Sequence, residues 1–167
     1  SGTAAASAAE PMTLNTTYNC TNSFDRKVSE LPVNADVTVT RTSADRVALA
    51  VSTGKLDFDL GGETPNVGLS SHMDLLVNGS PATVSGAATV TLNAANPPDF
   101  PVATGSATAT GDSVTVTPGK LVIGIDVSGF KVTLDCMVKG TAPTVTVPLA
   151  ATPAQPAAKV RPGLTAK

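Results

Sequence analysis

The chain contains no tryptophan, one tyrosine and four phenylalanines in 167 residues, so aromatic side chains make up only 3% of it. Proteins that hold single-stranded nucleic acid stack its bases on aromatic platforms, and this sequence has few to offer. Charge is scarce as well: 14% of residues are Asp, Glu, Lys or Arg, against about a quarter in ordinary domains. Net charge is −2 and the pI is near 5.2, so no basic stripe exists to follow a phosphate backbone or an anionic bilayer. Nucleic acid is therefore not an expected partner. One histidine, His72, and two distant cysteines, Cys20 and Cys136, are too few ligands for a zinc centre. No apolar run approaches the roughly 18 residues of a membrane helix, and no membrane span is expected.

What is present is a chain of one-domain length with 41% hydrophobic residues, enough for a core built of Val, Leu, Ile and Ala. Its pattern has period two. In Leu121 to Cys136 the apolar residues fall on odd numbers (Leu121, Ile123, Ile125, Val127) and then on even ones (Phe130, Val132, Leu134, Cys136). Folding about Ser128-Gly129 sets Val127 opposite Phe130 and Leu121 opposite Cys136, with one face apolar throughout. The same alternation runs through Met12 to Cys20, with Leu14, Tyr18 and Cys20 on one face. It returns around Ala35 to Val39, Val47 to Val51, Leu56 to Leu60, Pro81 to Leu92, Val102 to Val116 and Thr144 to Leu149. Val67 to Val77 fits a strand or a helical turn, with Leu69, Met73 and Leu76 at helical spacing; strand is preferred. Ser85-Gly86 suggests a bulge or turn, and Asn93 to Pro101 a loop. Short strands at this spacing indicate an all-β antiparallel sandwich or barrel spanning residues 12–150. Residues 1–11 and the Pro/Ala-rich 151–167 are expected to be flexible extensions.

Chemistry is hard to find. His72 with Ser70, Ser71 and Asp74 spells a hydrolase triad, but adjacent strand residues point to opposite faces and no G-x-S-x-G elbow precedes a helix. No catalytic residues are assigned, and a surface histidine is expected. Asp57, Asp59 and Glu63 form a weak Ca²⁺ candidate beside Gly61-Gly62; they lack the EF-hand spacing, and a solvated strand face shielding an edge is the preferred reading. No cofactor is implied. Sugar binding would have to proceed through polar loops, because parity turns Tyr18 inward. Cys20 and Cys136 are either two buried thiols or one disulfide closing a long loop.

Tyr18 two residues before Cys20 has the spacing of an immunoglobulin tyrosine corner. Together with the Thr/Val-rich strands and the late Leu134-x-Cys136, it resembles an uncharacterised immunoglobulin-like domain family of secreted actinobacterial proteins, over Met12 to Leu149. The resemblance implies an immunoglobulin-like β-sandwich outside the cell, with a Cys20–Cys136 disulfide between near-terminal strands and no functional residues to carry over. The start SGTAAASAAEP has no signal-peptide pattern, and reads as a mature exported chain with its signal removed or as an appended remnant. These observations lead to the expectation of a non-catalytic protein–protein interaction module. It would act through its extensions or strand edges, as an adaptor in an extracellular, toxin-like assembly. The alternative is a glycan or cell-wall binding module.

Overall fold

The computed structural model describes residues 10–55, 62–93 and 95–149. Among them are nine strands and no helix: β1 Met12–Asn22, β2 Val28–Arg41, β3 Arg46–Ser52, β4 Thr64–Val77, β5 Ser80–Leu92, β6 Ala103–Thr108, β7 Ser113–Val127, β8 Phe130–Val138 and β9 Val145–Pro148. All pair antiparallel in one sheet ordered β4-β5-β6-β3-β2-β1-β8-β7-β9. β4 also pairs with β7, from Val67↔Val127 to Val77↔Val116, so the circuit from β4 round to β7 returns to its start. The sheet thus wraps round a single core and faces itself across it. The all-β antiparallel class is as the sequence indicates. The expected strand at Leu56 to Leu60, with Asp57 and Asp59, lies outside the described residues, as do residues 1–9 and the 151–167 extension.

The β7–β8 hairpin has the register that parity requires: Leu121↔Cys136, Ile123↔Leu134, Ile125↔Val132 and Val127↔Phe130. Ser128 and Gly129 both take positive φ, 52° and 85°, as a type I′ turn demands, and the Asp126 carboxylate accepts the Gly129 N–H at 2.9 Å. Asn78-Gly79 makes a turn of the same kind between β4 and β5. β4 is a strand throughout. Its inner face is Val67, Leu69, Ser71, Met73, Leu75 and Val77, while Leu76 points out and is 42% exposed, so the helical spacing of Leu69, Met73 and Leu76 has no structural counterpart.

Three sequence readings change. β2 begins at Val28, earlier than the alternation shows, and pairs through Pro32↔Thr17. β7 runs straight through Pro118-Gly119, its buried parity passing from even (Val114, Val116) to odd (Leu121, Ile123) where the register against β4 shifts. β5 continues through Ser85-Gly86 without a turn. Gly86 is there because a Cβ would sit 2.3 Å from the Val102 carbonyl oxygen, and Gly105 of β6 likewise would meet the Thr83 oxygen at 2.1 Å. Two backbones approach that closely only without side chains between them. This is the β5–β6 junction, closed by a single pair, Ser85↔Thr104.

The core is aliphatic, with Val37, Val39, Val47, Leu49, Leu75, Val84 and Ile123 fully buried around Tyr18. Cys20 and Cys136 are directly opposed on β1 and β8 and form a buried disulfide. It joins neighbouring strands, whereas the immunoglobulin bridge joins two facing sheets. Tyr18 differs from a tyrosine corner too, since its hydroxyl is buried with no hydrogen-bond partner among the described residues. At one end of the sheet Arg41 gathers two turns: its guanidinium donates to the carbonyls of Ser43, Ala44 and Ala109 at 3.0–3.2 Å and to that of Gly111.

Two stability predictions follow from this geometry. Cys136→Ala opens a loop of 116 residues' separation and is expected to cost about 2–5 kcal/mol in urea unfolding under non-reducing conditions. Two free thiols by mass spectrometry of the unreduced chain would contradict the bridge itself. Gly105→Ala forces the β5–β6 backbones apart and is expected to cost about 1–3 kcal/mol, while Gly54→Ala, whose Cβ meets nothing within 4 Å, is strained only through its φ of 69°.

Candidate functional site

Two of the four phenylalanines are on the surface and touch each other. Phe24 is 70% exposed and Phe130 is 56% exposed; their ring centroids are 5.5 Å apart at an interplanar angle of 74°, an edge-to-face contact. Val28, the first residue of β2, is 65% exposed. Phe130 is on the apolar parity face of β8, but the hairpin tip reaches past the fully buried core: Ile125, Val127 and Val132 are only half-buried. Phe24 comes from a turn in which sequence alternation gives no signal.

That turn is held by its own polar groups. Phe24 N–H donates to Asn22 Oδ1 at 2.8 Å, Arg26 N–H to the Asn22 carbonyl at 2.8 Å and Lys27 N–H to Asp25 Oδ1 at 3.0 Å. Ser23 ties it to β8 in both directions: its N–H donates to the Thr133 carbonyl and its Oγ accepts the Thr133 N–H, each at 2.9 Å. The aromatic pair is therefore carried on a braced turn and a type I′ hairpin. Exposed Arg26, Lys27 and Lys131 adjoin it in sequence, with Asp25 and Asp126.

The outer face of β4 is the second surface of interest. Ser70, His72 and Asp74 alternate and share that face, which the argument from adjacent residues did not anticipate; only Ser71 turns inward. His72 Nε2 is 3.4 Å from Asp74 Oδ1, both side chains being about half exposed, and no hydrogen bond links Ser70 to His72 among the described residues. A serine nucleophile needs its base within hydrogen-bond reach, and the described geometry shows no such link from Ser70. Beside it runs a shallow groove of about 610 Å³ across β5, β4, β7 and β8. It is formed where Gly68, Ala87 and Gly124 leave space, and is lined by Ser70, Thr89 and Thr133. A Cβ at Gly124 would meet Ser70 Oγ at 2.4 Å, so a side chain there would turn the Ser70 hydroxyl to another rotamer.

Of the carboxylates considered for Ca²⁺, Glu63 is exposed, and Asp57 and Asp59 lie outside the described residues. No group of three metal-ligating side chains occurs among the described residues. No helix among them is long and apolar enough to cross a membrane. The disulfide fits an oxidising compartment. Comparison with protein families, with curated proteins and with solved structures found no match to this chain.

Burial pushes the Tyr18 phenol up from 10.0 to about 12, because an ionised oxygen in the core loses its water without gaining a donor. The fold favours the neutral phenol. Its stabilising effect is complete below pH 10, where the unfolded chain's phenol is also neutral, and is lost as pH rises towards about 12. Tyr18 is the chain's one tyrosine and there is no tryptophan, so phenolate absorbance near 295 nm reports on it alone. At pH 11 the native protein is expected to show almost none and the urea-unfolded chain most of it. An equal signal from both would place the phenol in water.

Proposed function

We propose that this chain is a non-catalytic, exported interaction module that binds a protein partner through the Phe24–Phe130 pair, as an adaptor subunit of an extracellular assembly. The observation that carries the reading is the exposed edge-to-face pair itself. A chain with five aromatic residues in all holds two of them in contact with solvent on braced turns. Aromatic side chains contribute most to interfaces when they are presented rigidly, since little conformational entropy is lost on docking. The pair has a rim of both signs, Arg26, Lys27 and Lys131 with Asp25 and Asp126, and favours an apolar partner segment with charged neighbours. Export is supported by the buried disulfide.

A second reading, a glycan or cell-wall binding module, is favoured by the groove across β5, β4, β7 and β8, whose wall includes the polar side chains of Ser70, Thr89, Asp126, Lys131 and Thr133. It differs in which substitutions abolish binding.

The test is size exclusion with light scattering on the species that carries this chain in the native extracellular fraction. The wild-type chain is expected in a complex well above its 16.6 kDa, with defined companions. Phe24→Ser/Phe130→Ser is expected to elute alone while losing only about 1 kcal/mol of stability, the order of one edge-to-face contact. A wild-type monomer that is retained on peptidoglycan or polysaccharide, and released by Ser70→Tyr but not by the double Phe variant, would establish the second reading instead.

A further inference from the structure

Phe100, 4% exposed, is inserted into the core from the connection between β5 and β6. Its N–H donates to the Gly54 carbonyl at 2.7 Å and Asp99 bridges to Lys55, so two segments lie together over the sheet's interior. Beneath Phe100 and Pro101 is a small internal cavity, with about 20 Å³ open to the centre of a water-sized sphere. Most of its wall is apolar, from Val33, Val51, Met73, Leu121 and Ile123. The exceptions are Thr53 and Ser71. Thr53 Oγ1 and Ser71 Oγ are both buried, and neither has a hydrogen-bond partner among the described residues. Ser71 as a whole is 8% exposed, on the inner face of β4.

A buried hydroxyl that exchanges water for nothing is destabilising, and two on the wall of one cavity have a common remedy. We infer that this cavity is a binding site for a single water molecule, held between the hydroxyls of Thr53 and Ser71 under the Phe100 ring. A water needs about 10–15 Å³ of such volume and two to four polar partners. The cavity admits a water-sized sphere, and its two polar groups supply partners for one water. Each hydroxyl has one O–H donor and a water has two lone pairs, so one water can accept from both hydroxyls and leave both donors used. A cation is excluded by the ligand set, since Ca²⁺ takes six to eight oxygens. Phe100 closes the site, so exchange with bulk requires the 99–101 segment to lift.

The test is ¹⁷O magnetic relaxation dispersion on the intact chain, which counts waters that stay bound longer than the protein tumbles. Thr53→Val/Ser71→Ala is expected to lower the dispersion amplitude by one water relative to wild type, and Phe100→Ala to shorten the residence time without removing the site. Equal amplitudes in wild type and a folded double variant would overturn the inference. Should the double variant fail to fold, a crystal structure of the wild-type chain decides. A peak within about 2.6–3.2 Å of both hydroxyl oxygens supports the site, and hydroxyls bonded directly to protein groups around an empty cavity refute it.

Discussion

β4 is hydrogen-bonded along both its edges, to β5 from Thr64 to Val77 and to β7 from Val67 to Val77, and this double pairing determines the rest of the architecture. A strand with one free edge would leave the sheet open and its inner face half in water. With both edges engaged, the strands before and after β4 must curve until the ends of the circuit meet. Their alternate residues then share one interior. Closure also removes the exposed edges through which antiparallel sheets aggregate. The short β9 remains at the margin, and it ends on Pro148, which cannot donate to a further strand.

Within that closed sheet, the scarcity of aromatics decides how the interior is filled. Val and Leu on the inner face pack at the short spacing that a strongly wrapped sheet permits, and Tyr18 and Phe100 are the large side chains placed among them. Small inward residues and tightly approaching backbones go together at the β5–β6 junction, where Gly86 and Gly105 each have a carbonyl oxygen in the place of a Cβ. Phe24 and Phe130 are outside this economy of space. Nothing in the core requires them, and their contact with each other is made in solvent.

Much of this was legible in the sequence, and the parts that were not have a common cause. The β7–β8 register followed from parity and Ser128-Gly129, and the inner face of β1 from Leu14, Tyr18 and Cys20, because both patterns are local. The first half of β2 was hidden: Ser29, Glu30 and Pro32 have the composition of a connection, and only pairing with β1 makes them a strand. Gly86 looked like a turn because the atom that requires it, the Val102 oxygen, is distant in the alternation being read. Leu76 mimicked a helical stripe as an apolar residue on the outer face. The site was less legible still. Phe130 belonged by parity to the core, and its exposure depends on where the core ends, while Phe24 is brought to it by Ser23 hydrogen bonds across to Thr133. The shared outer face of Ser70, His72 and Asp74 was available from alternation alone.

The single pair at Ser85↔Thr104 gives the closed circuit one thin segment. β3 and β6, by contrast, are paired from Arg46 to Val51, and β4 is paired on both sides. Opening between β5 and β6 breaks little hydrogen bonding and leaves the remainder of the sheet continuous, so an unrolling at that point costs less than one that parts β4 from its two neighbours. The molecule then behaves as a belt with one buckle: amides near the junction exchange with solvent in excursions that leave those of β4 protected, and the strap bearing Phe100, which joins the same two strands, moves with them.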